Sequence, residues 1–506
     1  MIPRILSVAG PLLGYVSLGV LLWALYRHRG RLDRSALGVF VLSIAVCFVF
    51  VQSGHRVYFD EDIYIQIASN LSRAPVAQLT LLGTPETVEV STYYKEPVGY
   101  PSLLGLVFAL FGATEGVAFL LTRVLFAFLV TGVYLLARDG FKQGWMAWIA
   151  AMTFLGVPVV LDYSVSAGTD IPMALFTVVG LWGLVSRAPA LAVAGLALVV
   201  QLRLEAVVLT SLLVLSPTIR RKWKFIGLIL VSGELFHLAW LLSAAPAYAT
   251  AIGIESTFSP AYVPDNLTSS ARYLFDQNRF PWGISVLALL SVLVWAWNLG
   301  RRWRSRPVGG VPDLSGVHYL MGWIGLLLPV YLVFYAGSFD LNPRYSIQIV
   351  VPLILLAVSS LRFLSRVQRY PVVVALAGSL LFSNLSERPE DRDPASFVNV
   401  LASDHRRMVL IAEDLGPDSI VLTTEPEVFL NQGISAMNAV FATERPQAVQ
   451  ALSDKYGTVL YYSGTRATVP NGEQWLADRL LQEEYKPTLI ESYIIGGRRT
   501  ALYRIY

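Results

Sequence analysis

Charged residues are scarce in this 506-residue chain: 15%, against about 25% in an ordinary soluble domain. That deficit excludes a water-soluble globular enzyme over most of the length. The 55% share of hydrophobic residues excludes a disordered chain. Cysteine is reduced to Cys47, which lies inside an apolar run, so the chain forms no internal disulfide and no cysteine-built metal site. Histidine is limited to five residues with no sequence cluster, and no internal repeat or low-complexity tract is present. The net charge of +4 lacks the basic-aromatic stripe of a nucleic-acid binder.

What is there is long apolar runs, and the charges are spread unevenly around them. Residues 387–506 hold 12 Lys/Arg and 17 Asp/Glu, a normal density for a soluble domain; residues 1–386 hold 27 and 18, in short clusters between apolar runs. A membrane-crossing helix needs about 20 mostly apolar residues. Runs at 5–26, 35–53, 116–137, 144–160, 171–186, 225–243, 283–299, 317–335, 345–361 and 371–384 qualify. Segment 189–215, interrupted by Arg203 and Glu205, is one long span or a folded pair. Segment 98–111 is a half-helix or a re-entrant stretch. The reading is a polytopic α-helical membrane protein of about 11–13 spans with a C-terminal soluble α/β domain.

The basic loops fall on one side if 98–111 does not cross and 189–215 crosses twice. Loops 54–97, 161–170, 244–282 and 336–344 then face the other, extracytoplasmic side together with the tail. The domain boundary falls in NLSERPEDRDP (384–394), where charge rises and helix breakers appear. Beyond it, SIVLTT, TVLYYSG, TLIESYII and TALYRIY read as strands, with helices at 396–415 and 472–485 and a Gly-Gly hairpin turn.

Candidate chemistry concentrates in the outward loops. Asp60, Glu61 and Asp62 open an amphipathic stretch just beyond a span, where a carboxylate either caps a helix or deprotonates a hydroxyl or holds a cation. Lys95 precedes Pro97 at the start of an apolar helix, a place either for a phosphate contact or for a snorkelling lysine. Asp170 stands before Pro172 at a helix start, a capping position as well as a site candidate. Arg344 begins a late span and either grips a phosphate or anchors the helix. Arg203 and Glu205, at membrane depth, are expected to pair or to serve function.

Taken in order, DEDIYIQIA, YKEPVGYP leading to LFG, TDIPMALF and NPRYSIQIVVPLILL resemble the GT-C membrane glycosyltransferases. The branch they resemble most uses polyprenyl-phosphate sugars and includes protein O-mannosyltransferases and aminoarabinose transferases. The pattern covers roughly residues 55–360, and a soluble tail also fits the branch.

The resemblance implies an inverting hexosyl- or pentosyltransferase acting at the extracytoplasmic face of the cell membrane. It takes a polyprenyl-phosphate-linked sugar and a lipid, glycan or protein acceptor. Asp60 or Glu61 would be the base, Lys95 and Arg344 the donor-phosphate contacts, and Tyr64, Asp170 and Tyr345 further site positions. Asp62 leaves the identity of the base open. A divalent metal ion held by Asp60, Glu61 and Asp170 is the one cofactor candidate. Glu96 stands where the family often has a second proline. The competing reading is a polytopic transporter or lipid flippase with Arg203 and Glu205 lining its pathway, against which stands the lack of an inverted repeat.

Overall fold

The computed structural model describes residues 2–93, 97–217, 219–251, 256–304, 315–385, 397–465 and 473–505. Lys95 and the boundary stretch 386–396 lie outside them. The first part is helical: α1 (Ile2–Arg27), α2 (Arg34–Phe50), α3 (Phe59–Leu71), α4 (Gly99–Phe111), α5 (Glu115–Phe141), α6 (Gly144–Leu155), α7 (Pro158–Asp162) and α8 (Asp170–Val185). There follow α9 (Pro189–Leu202), α10 (Thr210–Leu215), α11 (Arg221–Ala251), α12 (Val263–Phe275), α13 (Trp282–Arg304), α14 (Ser315–Val333), α15 (Ile347–Ser360) and α16 (Arg366–Leu385).

Among the described residues, three helical stretches are long and apolar enough to cross a membrane: Leu6–Arg27, Glu115–Phe141 and Pro343–Phe363. α6 and the turn from Pro158 to Val165 form a fourth if their 69° bend lies within one span. The expected count of spans therefore depends on shorter apolar helices such as α2, α4, α8 and α9. The helical core is built on close approach of small residues. A Cβ at Gly183 would collide with the backbone of Ala192, and one at Gly195 with that of Gly180, so α8 and α9 meet nearly backbone to backbone.

Segment 189–215 breaks at its charged pair. α9 ends at Leu202, Arg203 is extended (φ −151°, ψ 132°), and a 3-10 turn, Leu204–Leu209, leads into α10. The apolar run cannot continue as a regular helix while presenting Arg203 sideways to two carboxylates. Segment 98–111 is the 13-residue α4, too short for an upright span.

The tail carries α17 (Phe397–Asp414), α18 (Pro426–Asn431), α19 (Ala439–Glu444), α20 (Pro446–Ser453) and α21 (Glu473–Tyr485). Its strands are β3 (Ser419–Thr423), β4 (Ser435–Asn438), β5 (Thr458–Ser463), β6 (Thr488–Ile495) and β7 (Arg498–Arg504); β1 (Gln78–Gly83) and β2 (Val88–Thr92) come from the segment between α3 and α4. The sheet order is β2-β1-β4-β3-β5-β7-β6. β4, β3 and β5 are parallel, and β6–β7 is the hairpin read from the sequence, with Gly496 and Gly497 both at positive φ.

β1 joins that sheet antiparallel to β4, pairing Leu82 with Met437 and Gly83 with Ala436. Residues 78–92 thus belong physically with the tail, which the division at 386/387 does not capture. One face of the sheet buries Met408, Ile411, Val421, Val428 and Phe429 together with Phe59, the first residue of α3. The tail therefore grips the helix that carries the acidic triad.

Candidate functional site

Construction of the site begins at Tyr58, whose backbone (φ 54°, ψ −114°) lies in a region that a tyrosine rarely occupies. Such strain persists only where the surroundings over-determine it. Glu61 supplies that determination. Its Oε2 accepts from the backbone N–H groups of Arg56, Val57 and Tyr58 at 2.7, 2.9 and 3.0 Å. Its Oε1 accepts from Ala167 N–H at 2.7 Å, so one carboxylate ties loop 54–97 to loop 161–170. Arg56 adds a second tie through Asp162 at 2.9 Å.

Glu61 is fully buried, and burial pushes its pKa up. His55, 3.2 Å away, and the converging N–H groups outweigh that and hold it near 2. Burial conversely pushes His55 down, but Glu115, Glu61 and Asp62 raise it to about 11, keeping it a cation. Where the sequence offered Glu61 as a base, the structure shows both its oxygens accepting backbone N–H groups of the two loops.

The three adjacent acids separate because successive helical positions differ by about 100°. Asp62 turns toward the tail, where Oδ2 meets His405 Nε2 at 2.8 Å and Oδ1 accepts from Asn431 Nδ2 at 2.9 Å. Asp60 alone turns toward the remaining site positions. Its side chain is 37% exposed, and its Oδ2 accepts from Arg344 Nη1 at 3.0 Å across 284 residues of sequence.

Arg344 stands in the 3-10 turn Pro343–Ser346 that leads into α15. Beside it lies a second acid–arginine set. Asp170, at the start of α8, accepts from Arg203 Nη1 at 2.7 Å, and Glu205 accepts from Arg203 Nε at 2.6 Å. Both guanidinium groups stand over the Tyr345 ring, Arg203 at 4.7 Å and Arg344 at 5.3 Å from its centroid, and Tyr331 stacks on it at 5.1 Å. Gln348 fixes the backbone of Asp170 by donating to its carbonyl at 2.8 Å.

Several buried polar atoms here have no hydrogen-bond partner: Asp170 Oδ2, Arg344 Nε and Gln348 Oε1. Buried polar groups are nearly always satisfied, so unfilled capacity concentrated in one place marks where a polar ligand belongs.

The structure thus brings together Asp60, Asp170, Arg203, Glu205, Arg344 and Tyr345. It leaves out Glu61, Asp62 and Tyr64; the Tyr64 ring packs edge-on to Tyr100 at 5.9 Å within the helical core. Of the expected metal set Asp60, Glu61 and Asp170, Glu61 accepts backbone N–H groups on both oxygens and the other two acids are each paired with an arginine. Sequence reasoning missed His55, Arg56 and His405. HRVY directly before the acids was the only local signal for the first two.

Residues 95–240 match the family model described as dolichyl-phosphate-mannose-protein mannosyltransferase. Among solved structures, the chain is similar to the crystal structure of ArnT from Cupriavidus metallidurans bound to undecaprenyl phosphate. The two are 14% identical with a TM-score of 0.50, over 94% of this chain and 99% of that one. It is also similar to the apo oligosaccharyltransferase of Archaeoglobus fulgidus, with 12% identity and a TM-score of 0.50 over 92% and 74% of the respective chains. No curated protein sequence matches it. The chain thus shares the fold of these two proteins, and within it residues 95–240 match the mannosyltransferase model.

Proposed function

We propose that this protein is a membrane glycosyltransferase that moves a sugar from a polyprenyl-phosphate-linked donor to an acceptor hydroxyl, inverting the anomeric centre, on the extracytoplasmic face of the cell membrane. The observation that carries the reading is the pairing of Asp60 with Arg344 beside Asp170 with Arg203, four residues drawn from four separated segments onto one polar site. A phosphate ester needs cations next to a carboxylate base, and this site places both within a few ångströms. The ArnT structure to which the chain is similar holds undecaprenyl phosphate, which supports a lipid-phosphate donor.

In the proposed reaction Asp60, paired with Arg344, accepts the proton of the acceptor hydroxyl as that oxygen bonds the anomeric carbon. The bond from that carbon to the phosphate oxygen breaks on the opposite side, and the polyprenyl phosphate leaves with the electron pair. A guanidinium has five N–H donors, and the unpartnered Nε of Arg344 leaves capacity for a phosphate while Nη1 holds Asp60. Arg203 and Lys95 add positive charge for the leaving group. Asp170 and Glu205 hold Arg203 in place against Tyr345.

The test is a transfer assay on the purified chain in lipid, with a panel of radiolabelled polyprenyl-phosphate sugars and a membrane and cell-wall extract. Label passing to a new covalent product supports the reading and identifies both substrates. Movement of intact donor across the bilayer without covalent transfer would overturn it in favour of a flippase.

A further inference from the structure

A second polar cluster lies on the other side of α3, away from the paired arginines. His55 comes from the segment joining α2 to α3, Asp62 from α3 and His405 from α17 of the tail. Each offers one ligand atom, and these atoms lie within 4.8 Å of one another; among the described residues no other group of three His, Cys, Asp or Glu does so. The His55 and His405 rings are 4.4 Å apart, and Phe119 and Phe59 wall the pair at 5.3 and 5.8 Å. The two rings are tilted 48° to one another, with the carboxylates of Glu61, Glu115 and Asp62 at their nitrogens.

Two observations point to a ligand between them. His55 is nine-tenths buried, and its ring nitrogens meet only carboxylate oxygens, Glu61 at 3.2 Å and Glu115 at 3.6 Å, as ion pairs without hydrogen-bond geometry. The surrounding carboxylates are also oriented from outside, as the partners of metal ligands are. Asn431 donates to the free oxygen of Asp62, Gln432 donates to Glu115 at 2.9 Å, and Glu61 sits against His55 Nδ1.

We propose that His55, Asp62 and His405 form a divalent transition-metal site of the zinc type, with Glu115 as the available fourth donor, that clamps the tail onto the first outward loop. Two imidazoles and two carboxylates suit zinc, and a spacing of about 3.4 Å between donors is the tetrahedral value. The site is structural: it lies off the acid–arginine set and stands independently of the proposed transfer reaction.

The full chain in detergent, stripped with a chelator, is loaded with zinc alone, desalted, and its zinc counted by elemental mass spectrometry. The expected result is about one ion per chain in the wild type and at least a roughly tenfold loss in folded His405→Asn and Asp62→Asn. Should those variants fail to fold, cobalt loaded into the wild type is expected to give tetrahedral visible absorption that zinc bleaches. A folded wild type that stays metal-free after loading, or that binds cobalt with only octahedral absorption, would overturn the proposal. So would zinc retained unchanged in folded His405→Asn.

Discussion

At the scale of single residues, the three acids at 60–62 divide into three tasks that a sequence cannot separate, because adjacency hides direction. The triad itself was legible, and so was the set Asp170, Arg203, Arg344 and Tyr345. Which acid faces the arginines was not, since it depends on where α3 begins and on the strained turn at Tyr58. Glu61→Gln removes one carboxylate oxygen from an arrangement in which both accept backbone N–H groups. Each buried donor left unsatisfied costs about 1–3 kcal/mol, so this variant is expected to lower the thermal unfolding midpoint clearly, as read by a dye or light-scattering melt in detergent. An unchanged midpoint would contradict the holding role. Arg344→Lys keeps the charge and loses the fork; its expected effect is a rise of about tenfold or more in donor KM, in line with about 1.5–3 kcal/mol for a charged hydrogen bond. Steady-state kinetics with varied donor checks it.

At the scale of elements, patterns within one segment were readable and pairings between distant segments were not. The strands β3, β5, β6 and β7 show themselves as short runs rich in β-branched and aromatic residues bounded by turn signals. The hairpin β1–β2 was missed because its stability comes from pairing with β4, some 350 residues away, rather than from its own alternation. The break after α9 was foreshadowed by Arg203 and Glu205, whose charges demand partners at depth. The α8–α9 crossing makes its own prediction. Gly183→Val forces a branched side chain into the backbone of Ala192. Overpacking of this kind costs about 1–3 kcal/mol or more, so the variant is expected to unfold earlier in a thermal melt while Gly144→Ala, at a position with open space around it, leaves the midpoint unchanged.

At the scale of the whole molecule, the tail and the helical body share one working end. Phe59 sits in the tail's core while its neighbour Asp60 faces the arginines, so the tail sets the position of α3. Composition distinguished the two parts in charge and polarity but could not show that residues 78–92 complete the tail's sheet. Phe59→Ala is expected to destabilise by about 3–5 kcal/mol and to lower transfer even where the protein remains folded, measured by activity at a temperature well below its melt. The central claim is that Asp60 is the base beside a donor-phosphate site, and Asp60→Asn in the labelled-donor transfer assay tests it most directly. Loss of turnover by about 10²–10⁴-fold, with the melting profile and donor binding retained, is the predicted result. Full turnover in a folded Asp60→Asn protein would contradict the account.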